Sequence, residues 1–281
     1  MRGKLRAIAL ACVAVGLVTA CGGGDSSSTN GGGIVSPADS GSLGSDCFAV
    51  PATGKTANVT ATTTVPVEVE IATITGQGQQ VFEGQSYTAL DVRNRIDQVL
   101  GSDQHHTLYM LPNAPYLPAG AITYPSAGDT DPQQRYAYTY APMTLEQLRS
   151  AISSGKATIF PLVVPALQPV VPTVDSFKLN TPMTLLMLDK RAGGTAPMGA
   201  SFSSRYIKEL TLTYAGRESV TVGNVSYSQA CKLNVSVRRS NFNGIPFSID
   251  SVGQGTLWFA PNVGLVKIAM GGVATIIAPA N

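Results

Sequence analysis

Apolar and polar residues alternate along three stretches of this chain. Val65–Ala72, Leu210–Tyr214 and Cys231–Val237 each place apolar side chains at every second position, the period of a half-buried strand. Shorter candidate strands are Gln80–Phe82, Ser219–Val222, Thr256–Phe259, Leu265–Ile268 and Ala274–Ile277. Gly, Asn and Pro separate these stretches, so the pattern predicts a mainly β body of meandering antiparallel sheets.

One segment has helical spacing instead. Leu145, Leu148 and Ile152 fall on one face of a helix, and Thr144 with Gln147 resembles a capping box. Gly155 suits the C-terminal cap. We expect one short helix near 144–154, whose apolar stripe packs against a sheet rather than against a partner protein.

A proline-rich stretch divides the body. Residues 158–174 are apolar but contain four prolines, which exclude a helix and a central strand. We expect extended chain here, along a sheet edge or between two halves of the molecule. The predicted organisation is a β module at 47–165, a Pro-rich arm at 166–174 and a second β module at 175–281.

Short similarities between the halves suggest an internal repeat. Val81–Val92 resembles Val222–Leu233, since each has a turn signal followed by Ser-Tyr and a return to apolar residues. Tyr138–Met143 resembles Trp258–Val263 in the same order. The two modules could therefore share one fold, although chance similarity remains the alternative.

The N-terminus reads as an export signal. A basic start (MRGKLR) precedes the short apolar stretch 7–18, which is too short to span a bilayer. The following Leu17–Cys21 resembles the lipobox of bacterial lipoproteins. The resemblance implies that 1–20 are cleaved, that acyl chains such as palmitate modify Cys21, and that the membrane is the partner of these chains. Gly22 follows the cysteine, which in that family favours the outer membrane. An ordinary signal peptide with an incidental cysteine is the alternative.

A flexible tether follows the lipobox-like segment. Residues 21–46 are almost wholly Gly, Ser, Asp, Asn and Thr after the cysteine, and such a coil reaches about 25–30 Å. Loss of Arg2, Lys4 and Arg6 with the signal would leave 16 of the 19 basic residues against 17 acidic residues. A near-neutral body lacks the basic surface that nucleic-acid binding requires.

The C-terminal half resembles a loose set of bacterial envelope β-proteins. Glu218–Val222, Ser226–Lys232 and Trp258–Lys267 carry this resemblance. It implies a shared sheet fold, similar to the half-open barrels of lipoprotein carriers, and no activity.

Two cysteines remain for the body once Cys12 leaves with the signal and Cys21 takes lipid. Because the periplasm is oxidising, we expect Cys47 and Cys231 to form a disulfide. The spacing lacks the CxxC of a redox motif, and no Cys/His cluster indicates zinc.

The residues give little support for catalysis or a cofactor. The two histidines, His105 and His106, are adjacent, and neighbours on an extended chain point in opposite directions. We expect them in a solvated loop within the region 101–132; a metal-dependent enzyme would need them to approach Asp103, Asp129, Asp131 or Ser126. Ser153–Lys156 matches S-x-x-K but has no companion motif, and nucleotide-binding loops are missing.

Tyr136, Tyr138 and Tyr140 share one face of a predicted strand. Such a stripe can stack on sugars or bind a partner, and it can equally pack within a sheet. The sequence as a whole predicts a lipid-anchored periplasmic protein that binds a ligand or supports the envelope. The alternatives are a lipid or lipoprotein carrier, with an apolar cavity between curved sheet and helix, and a metal-dependent enzyme.

Overall fold

The computed structural model describes residues 43–62, 68–94, 105–112, 114, 117–124, 134–156, 158–159, 162–163, 170–191, 206–241, 248–270 and 273–278. Its first strands are β1 (Thr56–Thr62), β2 (Glu68–Phe82), β3 (Gln85–Asn94), β4 (His105–Met110), β5 (Pro118–Tyr124) and β6 (Gln134–Ala141). After helix α1 (Leu145–Ser153) come β7 (Thr158–Ile159), β8 (Leu162–Val163), β9 (Pro182–Arg191), β10 (Tyr206–Val222), β11 (Val225–Asn241), β12 (Ser248–Ala260), β13 (Gly264–Met270) and β14 (Val273–Ala278).

All the strands except β7 and β8 pair in one antiparallel sheet. The order is β1-β14-β13-β12-β11-β10-β9-β6-β5-β4-β3-β2. Since β1 pairs with both β2 and β14, the pairing returns to its first strand. We call this arrangement the strand ring. The predicted mainly β architecture, with a curved antiparallel sheet and one short helix in the described part of the chain, is confirmed.

The inner face of the ring holds the main hydrophobic core. Leu210, Leu212 and Tyr214 of β10 point into it, as do Leu233 and Val235 of β11. The alternation seen in the sequence therefore marks the inner face. The short candidate strands are parts of longer ones; Ser219–Val222, for example, ends β10, which continues for 17 residues through β-bulges.

The region expected to be a loop contains two strands. All six residues of β4 are buried, including both histidines, and β5 pairs with it. The prediction of a solvated loop for His105 and His106 is therefore wrong. A strand buried on both faces lacks polar alternation, and this is why the pattern failed to reveal it.

Helix α1 lies on the outer face of the ring. Thr144 and Gln147 form the predicted capping box, and Leu145 and Leu148 are fully buried. Both leucines pack against Leu186 of β9 and Ile207 of β10. Leu186 points outward, because Leu185 and Met187 on either side of it belong to the core inside the ring. The expectation that this stripe packs against a sheet is confirmed.

The proline-rich arm contributes little to the ring. β7 and β8 pair only with each other, as a two-stranded hairpin. Val170 then forms a single bridge with Tyr140 at the end of β6. The described part of this stretch thus contains no α-helix and no strand of the ring, and a 3₁₀ turn begins at its last residue, Val174.

The N-terminal segment 43–50 is fastened to one end of the ring, which we call the tether end. Leu43 is buried, so the body begins before the expected boundary at Cys47. Cys47 forms a disulfide with Cys231, with 6.2 Å between the Cα atoms, and this predicted bond is confirmed. Asp46 accepts two hydrogen bonds from Arg217, at 2.8 and 2.9 Å, and the guanidinium holds the pKa of that carboxyl below its usual range.

The two halves of the chain build equivalent parts of the ring. β1–β6 form one six-stranded meander and β9–β14 another. Each begins with a parallel bridge, from Thr53 to Gly76 and from Leu179 to Tyr214. The residues that follow the two bridges, Gly54 and Asn180, both have a positive φ. The backbone N–H of Gly54 donates to the carbonyl of Gly76 at 2.8 Å, and that of Asn180 donates to the carbonyl of Tyr214 at 2.7 Å. Glycine and asparagine are the residues that adopt this conformation most readily.

Irregularities recur at matching places as well. The register between β4 and β5 shifts at Tyr109, and that between β12 and β13 shifts at Trp258. The hairpin similarity noted in the sequence lies at equivalent positions, because Phe82–Gln85 and Val222–Val225 are the two closing pairs. The second similarity, between Tyr138–Met143 and Trp258–Val263, does not lie at equivalent positions. The first segment ends β6 and the second ends β12, which are not equivalent strands.

Candidate functional site

The predicted tyrosine stripe faces the inside of the ring. Tyr140 belongs to the main core, is 2% exposed and donates to the carbonyl of Pro118 at 2.9 Å. Burial raises the pKa of its hydroxyl well above the usual value. Tyr136 and Tyr138 are half-buried, with parallel rings whose centroids are 6.5 Å apart. Tyr140 thus has a packing role, and binding by the other two stays a prediction.

The two histidines point to opposite faces of β4, as adjacent residues in a strand must. His106 lies on the inner face with Leu108, and its Nδ1 is 3.0 Å from the hydroxyl of Thr123. Burial, and then the proximity of His105, lower the pKa of His106 to about 4. His105 stacks on Tyr124 on the outer face, with 4.6 Å between the ring centroids. This geometry separates the two imidazoles and favours packing.

The described residues supply little else for catalysis or transport. They contain no group of three or more His, Cys, Asp or Glu side chains that could hold a metal. No helix within the described ranges has the length and apolar character to cross a membrane. Helix α1 lies outside the ring and its contact is filled by Leu145, Leu148 and Leu186, so the carrier-type cavity between sheet and helix is not formed at this contact. Cys21, Asp103, Ser126, Asp129 and Asp131 lie outside the described residues.

The outer face of the second half carries an open groove that we call the polar trough. It offers a volume of about 510 Å³, open to solvent, across β10, β11 and β12. The outward side chains of its floor are uncharged hydrogen-bonding groups: Thr211, Thr213, Asn234, Ser236, Gln254 and Thr256. Thr184 of β9 extends the floor, since its hydroxyl is 3.1 Å from that of Thr211. Four strands at the usual spacing of about 4.8 Å give a length near 14 Å.

An ion-pair cluster borders the trough towards helix α1. Glu209 is 4% exposed, accepts from the backbone N–H of Leu145 at 2.7 Å and from Arg238 at 3.0 Å. Arg238 also pairs with Glu146 of the helix. The charges at this border are therefore already paired with one another, and the helix forms a raised wall.

A second polar cluster borders the trough towards the tether end. Trp258 donates from its indole N–H to Glu218 at 2.6 Å. Lys232 and Lys267 lie over its ring, 5.8 and 5.2 Å from the centroid, within the range of cation–π contacts. Lys232 also pairs with Glu218 at 3.2 Å. Trp258 is two residues from Thr256 on the same face, so the sole tryptophan of the chain adjoins the trough.

The equivalent face of the first half is closed. Strand pairing makes Asp91, His105 and Thr107 the counterparts of Asn234, Gln254 and Thr256. Those three counterparts are only 7–8% exposed, whereas Asn234 and Gln254 are exposed. The first half thus uses this surface for packing, and the second half leaves it open.

The sequence contains a signal for the trough that pattern reading passed over. The polar phase of β10, β11 and β12 is uncharged for two consecutive outward positions in each strand, as at Thr211 and Thr213. Outward positions of a solvent-facing sheet commonly carry charge. Only the register between strands reveals that these positions are adjacent.

The fold and disulfide define a mainly β, disulfide-bonded body built as two six-stranded halves. No protein-family model matches the chain, and it has no significant similarity to a curated protein. Among solved structures it is similar to a candidate lipoprotein from Parabacteroides distasonis ATCC 8503, with 10% identity and a TM-score of 0.34 over 85% of this chain and 99% of that one. It is also similar to a candidate exported protein with a YmcC-like fold from Bacteroides fragilis NCTC 9343, with 9% identity and a TM-score of 0.33 over 85% and 99% of the two chains. Both are described as bacterial lipoprotein or exported proteins, and at these values the likeness carries no conclusion about activity.

Proposed function

We propose that this chain is a bacterial lipoprotein, anchored in the outer membrane by acyl chains on Cys21, whose body binds a ligand in the periplasm. The observation that carries the export part is the disulfide between Cys47 and Cys231. Such bonds persist in oxidising compartments and are rare in the cytosol. The disulfide and the lipobox-like segment therefore both support export of the chain from the cytoplasm to the periplasm.

The position of the N-terminal segment supports the anchored arrangement. Leu43 enters at the tether end and its backbone N–H donates to Phe177 at 3.2 Å. The chain between Cys21 and Leu43 is rich in Gly and Ser, and its reach is about 25 Å. The lipid would hold the tether end towards the membrane. The binding part of the proposal is supported by the open polar trough on the side of the ring.

Labelling with an alkyne fatty acid tests the anchor. We expect the wild type and Cys12→Ser to be labelled and membrane-bound, because Cys12 lies within the predicted signal. Cys21→Ser should lose the label, since the acylated thiol is missing. Labelling of Cys21→Ser at the wild-type level would refute the anchor.

Membrane fractionation then tests the location. The wild type should sediment with outer-membrane markers, whereas a variant with Asp in place of Gly22 should move to the inner membrane if the sorting rule of the lipoprotein family applies. An inner-membrane wild type would contradict the proposed location and leave lipidation itself in place.

A further inference from the structure

We propose that the polar trough is a binding site for a neutral carbohydrate chain. The inference rests on the proposed binding role of the body, but it does not depend on the lipid anchor. Its basis is the chemistry of the floor, the state of the charges at both borders and the contrast with the equivalent face of the first half.

The floor offers hydroxyl and amide groups and no charge. Thr213, Ser236 and Gln254 point outward between the two borders, and Asn234 accepts from Thr256 at 3.1 Å. Groups of this kind both donate and accept hydrogen bonds. A ligand covered with hydroxyl groups can pair with the donors and acceptors that the contacts within the floor leave over.

Charged ligands fit the trough poorly. Arg238 is paired with Glu146 and Glu209, and Lys232 is paired with Glu218. An anion would have to compete with the carboxylates that hold these two cations, and the third cation of the borders, Lys267, lies over the Trp258 ring. Lipid tails fit poorly as well, because the outward side chains of the floor are polar.

A peptide strand lacks the backbone partners it would need. β10 is paired with β9 and β11, and β11 is paired with β12. Addition of a strand requires a free sheet edge. Only side-chain groups are therefore available on the trough, and these favour a ligand recognised through its hydroxyls.

The paired halves show that an open face is not an obligatory feature of this fold. The same position is occupied by Asp91, His105 and Thr107 in the first half, where the surface is buried. Asp91 there accepts from Arg93 at 2.9 Å within its own strand. In the second half, neutral residues occupy these positions, and Asn234 and Gln254 among them are exposed, which leaves polar groups accessible to a ligand.

Trp258 provides the assay, because it is the sole tryptophan and adjoins Thr256. The purified full chain, in a detergent without a sugar headgroup, is titrated separately with maltohexaose, cellohexaose and chitohexaose. We expect at least one of them to give a saturable change in tryptophan emission, and saturation-transfer NMR to detect the same binding without relying on fluorescence.

Substitutions locate the site. Asn234→Leu and Gln254→Leu should each weaken binding about two- to tenfold, the effect of one neutral hydrogen bond. Gln79→Leu is the matched control, since Gln79 is exposed on the hairpin of the first half, and it should bind as the wild type does. Thermal unfolding of each variant establishes that the body remains folded.

Three results would overturn the proposal. The first is that neither method detects binding of any of the three oligosaccharides. The second is that both trough variants bind as the wild type does. The third is a dimer in analytical ultracentrifugation that Asn234→Leu dissociates, because the trough would then be a contact between copies of the chain. A wild type that is not labelled by the fatty acid would overturn the lipid anchor alone. Failure of the anchor and failure of the carbohydrate site are therefore distinguishable.

Discussion

The disulfide between Cys47 and Cys231 should be a large contributor to the stability of the body. Both cysteines are fully buried, and they are 184 residues apart in the sequence. Closing a loop of that length removes conformational entropy from the unfolded chain. The chain-entropy relation gives about 5 kcal/mol at 25 °C.

The double variant Cys47→Ala/Cys231→Ala removes the bond without leaving a thiol. For a body of this size each kcal/mol shifts the Tm by about 2–4 °C, so we expect a decrease of roughly 10–20 °C. The measurement is thermal unfolding followed by far-ultraviolet circular dichroism. Both proteins carry Cys12→Ser and Cys21→Ser, so that no other thiol of the chain contributes.

Reduction provides the control. Wild type that is unfolded, reduced and refolded under reductant should melt at the temperature of the double variant, and the double variant should ignore the reductant. A double variant that melts within about 2 °C of the oxidised wild type would refute the reasoning. In that case the contacts of the N-terminal segment, such as Asp46 with Arg217, would hold it in place without the bond.

Three further predictions concern packing, charge and protonation. Gly120→Val should destabilise the body by about 1–3 kcal/mol in thermal unfolding, because a Cβ there would collide with the Phe82 ring; unchanged stability would contradict this. Glu209→Gln should cost about 2–3 kcal/mol, since a buried charge-assisted acceptor is lost, whereas Glu146→Gln at the exposed partner should cost under about 1 kcal/mol in the same urea titration. The pKa of His106 is lowered to about 4 from 6.5, so only the unfolded chain takes up this proton between those values. Stability should be complete above pH 6.5 and fall by about 3 kcal/mol towards pH 4; His106→Gln should flatten the urea-denaturation profile, and an unaltered profile would count against it.

Strand alternation predicted the parts of the ring whose two faces differ. Leu210–Tyr214 and Cys231–Val237 have the core on one side and polar groups on the other, and both are strands. The alternation did not predict strand β4, because both of its faces are covered. Its inward Leu108 lies in the core, while its outward Tyr109 stacks on Phe82 with 4.4 Å between centroids.

The polar trough could not be predicted from the alternation of apolar and polar residues, for a different reason. Its floor combines residues as far apart in sequence as Thr184 and Thr256, and their proximity depends on the registers of three strand pairs. The borders depend on tertiary contacts as well, since Glu146 reaches Arg238 only because the helix packs on the outer face. Local sequence fixes which way each side chain points, and register decides what lies beside it.

The two halves of the ring pack differently beside the trough and beside its counterpart. In the first half, Phe82 lies over Gly120, where the lack of a side chain leaves room for the ring, and it stacks on Tyr109.

Strand pairing places Lys267 where the first half has Gly120, and Trp258 where it has Tyr109. Lys267 thus has a side chain where the first half has none, and its ammonium group lies over the indole. The hairpin of the second half has Val222 where the first half has Phe82, and this smaller side chain packs with Ala260 of β12 and Val266 of β13. The same positions thus form an aromatic stack over a glycine in the first half and a lysine–indole contact at the border of the trough in the second half.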